Sequence, residues 1–350
     1  MRTVQTHLVP VVAVWTTPAL YFFGKSGENL RRKMSGFMTP GNFRLMASFI
    51  SSFMRPRRIK TDGVSGPLRN AVVPNMSAIS ATDYEFIRQL VYDHSRINLG
   101  HDKVELVSSR LRKRLRTLNF NDFPPYLDFL RSSAGEEEVT DLLDVISTNV
   151  TDFFREPAHF QFMETIAMPE WLRAKGRKPG DRFRVWSAAC SSGEEPYTLA
   201  ITLAEYAREN PGFDWEITAS DLSTRMLDRA AEAVYRLERV QLPKPEWLRR
   251  YFQRGTGKFD GQARVKSELR QKITFAHQNL MEPYPFSQKF DLTFCRNVMI
   301  YFDRPTQESL VPRLRAQLDA NGYLFVGHSE SLIGIDKALK IVRPSIYRHV

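Results

Sequence analysis

The sequence predicts an α/β protein built on a mostly parallel, doubly wound sheet, with a small all-helical domain ahead of it and a short antiparallel insertion within it. Three observations predict this. Residues 183–350 alternate β-branched and aromatic runs with helical stretches, the rhythm of strand–helix–strand units. Residues 77–147 carry only helical periodicity. Residues 247–272 break the rhythm, with Gly255, Gly257 and Gly261 set between short alternating runs that read as two or three small antiparallel strands.

Taken in order, the first helix follows Ser80, where Phe86, Ile87, Leu90 and Val91 recur at helical spacing and Thr82 and Asp83 are placed to cap. A second helix covers 104–118, with Val107, Leu111, Leu115 and Leu118 on one face, and shorter helices fall at 126–130 and 138–147. Residues 148–182 form a linker. Strands are expected at 183–189, 215–220, 273–276, 290–295, 323–327 and 345–348, and helices at 197–209, 224–233 and 306–318. Pro312 lies inside the last helix and predicts a kink.

Composition narrows the class. The chain has 350 residues, long enough for two domains, and only two cysteines, Cys190 and Cys295, too few for a disulfide framework. No ligand cluster accompanies either, so a reduced, cytoplasmic, metal-free protein is expected. The net charge is +11, but residues 1–75 hold eleven Lys or Arg against Glu28 and Asp62. They account for +9, leaving about +2 for the body, which weakens a nucleic-acid reading. The apolar run 8–23 contains Pro10 and Pro18 and is short for a membrane span of about 20 residues. Residues 1–75 are expected to be a basic extension without a fold of their own, from a start codon assigned too early or as a disordered arm.

The chemistry concentrates at RVWSAACSSGEEPYTL, residues 184–199. A buried-strand pattern ends in a loop with a single glycine and two carboxylates that open a helix. Doubly wound sheets bind ligands outside the carboxyl ends of their strands. Without G-x-G-x-x-G spacing the loop is poorly suited to a pyrophosphate, so a nucleoside without phosphates, S-adenosylmethionine foremost, is the expected ligand. Ser192 and Glu195 have the spacing of a capping box. One carboxylate suffices for that bland role, and of the two Glu195 is favoured over Glu194 to meet the ligand's ammonium. Asp221, at the tip of the second strand and 28 residues beyond Gly193, is placed to accept ribose hydroxyls. Asn279 and Leu280 would flank the adenine. Asn297 would take either the adenine or the substrate. Tyr301 would face a sulfonium, an attraction of ~0.5–2 kcal/mol for a cation over an aromatic face, or else simply pack in the core.

The segments TNVTDFFRE, VWSAACSSGEEPYTLA, ASDLSTRMLDRA, RYFQRGTG, FDLTFCRNVMIYFD and GHSES occur in that order. Together they resemble the successive motifs of the CheR family of chemotaxis receptor methyltransferases, over about residues 77–350. The resemblance implies a Rossmann-like, S-adenosylmethionine-dependent methyltransferase that methylates glutamate side chains of chemoreceptors, giving γ-methyl esters and S-adenosylhomocysteine. It implies cofactor contacts at Asn149, Thr151, Arg155, Glu195, Asp221, Asn279, Leu280, Asn297 and Val298, with Arg155 and Tyr301 positioning the reaction. Residues 77–147 would then dock the receptor through Arg110, Arg112, Lys113, Arg114 and Arg116, which crowd one helix opposite its apolar face. The inserted strands would meet an extended receptor tail. A monomer without nucleic-acid partner or membrane insertion is expected. Two alternatives stand beside this: a methyltransferase of nucleic acid or amide nitrogen, against which Arg296-Asn297-Val298-Met299 lacks Pro-Pro, and a cofactor-sensing adaptor without turnover.

Overall fold

The computed structural model describes residues 77–350 except 175–177 and 179, so the expectations for residues 1–75 lie outside the described part. Among the described residues no helix is long and apolar enough to cross a membrane.

Four helices come first: α1 (Ala81–Ser95), α2 (Val104–Thr117), α3 (Phe123–Arg131) and α4 (Glu138–Ile146). Ser80 caps α1 by accepting from the Asp83 amide at 3.1 Å, so the cap is two residues before the expected Thr82 and three before Asp83. Ile87, Val91, Leu111, Leu115, Leu127 and Leu142 are fully or almost fully buried in one core. Each comes from the stripe that a 3.6-residue repeat brings onto one face.

Two short helices, α5 (Ala158–Phe162) and α6 (Met168–Arg173), lead into the sheet. The strands are β1 (Arg182–Ala188), β2 (Asp214–Asp221), β6 (Ile273–His277), β7 (Phe290–Phe294), β8 (Leu318–Phe325), β9 (Leu339–Arg343) and β10 (Ile346–His349). Their order is β6-β2-β1-β7-β8-β10-β9. β1 pairs parallel with β2 on one side (Val185 opposite Ile217) and with β7 on the other (Val185 opposite Leu292). Winding therefore reverses between β1 and β7, where such sheets open a crevice. β10 runs antiparallel to both of its neighbours, β8 and β9.

Both sheet faces are covered, as a parallel sheet requires. Along β1, Phe183 and Val185 enter one core with α7 (Glu194–Glu209), whereas Trp186 and Ala188 enter another with α11 (Arg304–Gln317). The latter helix continues through Pro312, losing one backbone donor without ending. After α8 (Thr224–Glu232), the strands β3 (Val234–Arg236), β4 (Phe252–Arg254) and β5 (Gln262–Val265) form a separate antiparallel sheet in the order β3-β5-β4. Its first strand precedes residue 247, earlier than the sequence suggested. α9 (Glu246–Tyr251) lies between β3 and β4, and α10 (Ser267–Arg270) between β5 and β6.

Candidate active site

The loop after β1 turns sharply: Ala189 and Ser191 have φ of 68° and 50°, and Gly193 has φ of 99°. Gly193 is needed for space as well as conformation. A Cβ there would lie 2.6 Å from the Tyr235 hydroxyl. The turn moves the helix start, and the capping box does not form. Gly193 takes the N-cap with no side-chain cap, and the Ser192 hydroxyl donates instead to Glu194 Oε2 at 2.7 Å. Glu195 is thereby freed from backbone duty. It accepts from Ser187 Oγ at 2.7 Å and from Arg296 Nη1 at 3.1 Å, and it lines a cavity of ≈ 330 Å³ that Glu194 does not reach.

Asp221 ends β2 at the same cavity. Its two oxygens accept from the Ser191 amide (2.7 Å) and the Ser223 amide (2.9 Å), which aim the carboxylate and leave lone pairs for further donors. Burial pushes its pKa above the ordinary aspartate value, offset in part by those amides. Burial likewise pushes Glu195 up against the pull of Arg296 and Ser187. Two buried carboxylates facing one cavity favour a ligand bearing hydroxyl donors and positive charge.

The cavity also takes in Asn149, Thr151, Arg155, Asn279, Leu280, Asn297, Val298 and Tyr301, so every expected cofactor or positioning residue shares it. Several are already held by the protein. Asn279 donates to the His94 carbonyl at 2.6 Å, and the Asn149 carbonyl accepts from Ser191 Oγ at 3.0 Å. Arg155 makes one contact through its guanidinium, to the Val150 carbonyl at 3.1 Å. Tyr301 belongs to none of the apolar cores, and among the described residues nothing hydrogen-bonds its hydroxyl. The segment after α1 closes the cavity from above: Ser95, Ile97 and Leu99 line it, and the Asn98 amide donates to the Tyr301 carbonyl at 2.8 Å.

Three further residues hold this arrangement and were not singled out from sequence for that role. Arg296 is a buried guanidinium that bridges Glu195 and Glu156 (Nη2···Oε2 2.9 Å) and donates to the Arg155 carbonyl at 2.5 Å. Burial pushes Glu156 up, but the Arg296 charge and hydrogen bonds outweigh it and hold the carboxyl below its usual value. Glu330 accepts from three backbone amides, of Gly327 (2.5 Å), Asn297 (2.9 Å) and Ile300 (3.2 Å). It thus clamps the loop carrying Asn297, whose φ is 58°, and Tyr301. Glu156, His159 and His328 bring possible ligand atoms within 4.8 Å of one another, but the Arg296 cation already holds the Glu156 carboxylate.

The proposed docking arginines divide. Arg114 donates to Glu138 (Nε···Oε1 2.8 Å) and to Asp141, and Glu138 also accepts from the Tyr126 hydroxyl at 3.0 Å. Arg110 donates to the Ile146 and Ser147 carbonyls. Both fasten α2 to α4 and the linker. Arg112 is half-buried, and Lys113 and Arg116 are exposed. The distinction depends on partners across 24 or more residues, which helical spacing does not reveal.

Buried acids at the tips of β1 and β2, a phosphate-averse loop and a reversal of strand order define the S-adenosylmethionine-dependent methyltransferase class. The comparisons narrow it. The family model described as CheR methyltransferase, SAM binding domain, matches residues 149–347, and that described as CheR methyltransferase, all-alpha domain, matches residues 82–147. The chain is 39% identical to the chemotaxis protein methyltransferase of Salmonella typhimurium over 77% of its own length and 91% of that protein. It is 41% identical to chemotaxis protein methyltransferase 2 of Pseudomonas aeruginosa (76% and 92%) and 40% identical to the chemotaxis protein methyltransferase of Borreliella burgdorferi (74% and 91%). The chain belongs to the CheR methyltransferase family and is an S-adenosylmethionine-dependent methyltransferase of chemotaxis.

Proposed function

We propose that this chain methylates glutamate side chains on the cytoplasmic helices of chemoreceptors, forming γ-methyl esters and releasing S-adenosylhomocysteine. The observation that carries the reading is the single cavity shared by Glu195, Asp221, Arg155 and Tyr301 at the reversal point of the sheet. Its size falls within the range of about 300–1,000 Å³ typical of small-molecule sites.

The donor set fits the cofactor. Asp221 would accept the ribose hydroxyls, Glu195 the methionine ammonium, and Leu280 and Val298 would bracket the adenine. Asn149, Thr151, Asn279 and Asn297 would complete the contacts. When bound, S-adenosylmethionine supplies an electrophilic methyl group. A glutamate acceptor, with an unperturbed pKa of about 4.3, is already an anion at neutral pH and needs no general base. The protein's task is therefore positioning, which can supply several kcal/mol of the barrier. Arg155, with most of its guanidinium donors uncommitted, would orient the incoming carboxylate, and the Tyr301 ring would face the positive sulfur.

In this reading residues 77–147 dock the receptor, 148–182 link, and 183–350 hold the cofactor, with the monomer as the working unit. Incubation with methyl-labelled cofactor and receptor-containing membranes tests it: label released as methanol by base marks an ester, whereas base-stable label or none refutes it. Arg155→Ala is expected to lower turnover by at least two orders of magnitude with the melting temperature nearly unchanged. Wild-type turnover in that variant would remove Arg155 from the reaction.

A further inference from the structure

Three exposed apolar side chains surround the cavity, each from a different segment: Leu106 on α2 (45% exposed), Val150 in the linker (70%) and Ile300 after β7 (53%). Nine large hydrophobic residues are this exposed among the described residues, and these three alone line the cavity. One exposed aliphatic residue is ordinary. Three converging on a single opening mark an interaction surface.

The surroundings say what would cover it. On α2, positions four and seven beyond Leu106 are Arg110 and Lys113, so the apolar spot runs into a basic stripe on one helix face. The Arg110 guanidinium is folded back onto the Ile146 and Ser147 carbonyls, whereas Lys113 and, beside the stripe, Arg116 are exposed. Lys103, ion-paired among the described residues only with its neighbour Asp102, stands at the same opening, as does Arg155. An apolar rim with cations along one side matches an amphipathic helix whose aliphatic stripe borders acidic residues. On such a helix, residues three or four positions from a central glutamate share its face, so they would rest on the rim while that glutamate enters the cavity.

We propose that Leu106, Val150 and Ile300 form the docking rim for an amphipathic acidic helix of the substrate protein, and that this rim selects which glutamates enter. The inference rests on the functional reading above. Its test compares wild type with Val150→Asp, Ile300→Asp and Leu106→Asp, using receptor membranes as substrate and calorimetry with S-adenosylhomocysteine as the check on the cofactor site. Each acid is expected to raise KM for receptor at least tenfold while leaving S-adenosylhomocysteine affinity within twofold, and Val150→Ile and Leu106→Met are expected to keep wild-type KM. Unchanged KM in the folded Leu106→Asp/Val150→Asp double variant overturns the rim but leaves the methyltransferase reading intact. Wild-type dimers that Val150→Asp converts to monomers would also overturn it, by making the rim a self-association surface. Absence of receptor methylation by wild type would instead sink the functional reading, and the rim with it.

Discussion

The two ends of the parallel sheet each carry a cavity, and they differ in everything but size. The one at the carboxyl ends of the strands measures ≈ 330 Å³, and the one at the amino ends, beside Glu170, Asp291, Tyr323 and Arg348, measures ≈ 400 Å³. At the first, Ala189 and Ser191 adopt positive φ, and Phe154 and Glu156 do so on either side of Arg155. Such residues cost roughly 1–3 kcal/mol each and persist only where the surroundings hold them. The second has Asn321 at φ 65°, a residue type that tolerates this conformation, and its Glu170 is engaged by the Tyr323 hydroxyl at 2.7 Å and by Arg348. Volume therefore does not mark the site. Stored backbone strain and the paired acids Glu195 and Asp221 do, whereas the buried acid of the second cavity, Asp291, accepts from the Arg184 amide at 2.8 Å.

The largest expected contrast comes from removing one such carboxylate. Asp221→Ala should weaken S-adenosylhomocysteine binding by about three orders of magnitude, since two hydrogen bonds to a charged group contribute about 1.5–3 kcal/mol each. An affinity within tenfold of wild type, measured by calorimetry, would erase the difference between the two ends. Next is the clamp. Glu330→Ala leaves three backbone amides without their acceptor, a cost of roughly 2–4 kcal/mol. Thermal denaturation should show a midpoint several degrees lower, and turnover should fall as Tyr301 loosens. An unchanged midpoint would mean that the loop holds its strain unaided.

A smaller, pH-dependent effect comes from His159, which is buried and held at about 3, below its usual 6.5, by desolvation and then by the Arg296 charge. Its Nε2 meets Ser345 Oγ at 2.8 Å. The unfolded chain takes up the proton first, so this contribution is intact above pH 6.5 and is lost as pH falls from there toward 3. At pH 5 the loss amounts to about 2 kcal/mol. Denaturant titrations of wild type and His159→Gln should diverge in slope over that window, and parallel pH dependences would show that the ring is hydrated. The smallest effect belongs to the amino end. Asn321→Gly should change stability by less than about 0.5 kcal/mol and leave turnover untouched, as two denaturation curves and one rate measurement would show. A loss of activity there would require a second functional cavity.

Sequence legibility followed the same divide. β7 announced itself because a strand buried on both faces reads as an apolar run, whereas β1, β2 and the edge strand β6, only partly buried, were legible from their β-branched and aromatic residues. β9 was missed because its Lys340, Ile341 and Arg343 are exposed at a sheet edge, with little apolar periodicity to detect. β8 begins five residues before its expected start at Tyr323, since Asp319, Asn321 and Gly322 look like a turn and fall in the irregularity between the Leu318–Phe290 and Tyr323–Leu292 pairs. β3 has only three residues and follows α8 directly. In the site, residues at strand tips were visible from position alone. Their supports were not: Arg296 meets Glu156 across 140 residues, and Glu330 meets Asn297 across 33. A capping box was expected from Ser192 and Glu195, but nothing local signals that Gly193 must press against Tyr235.

The contact between the Asn98 amide and the Tyr301 carbonyl has a practical consequence. A truncated version starting at residue 148 would keep every parallel strand yet lose the ceiling that Ser95, Ile97 and Leu99 provide over the ligand chamber. Tyr92, whose hydroxyl bonds Asp303 at 2.8 Å, and His94, whose carbonyl holds Asn279, would vanish with it. The front helices are thus part of the catalytic vessel itself, and whatever grips them from outside also touches the wall against which product must be released.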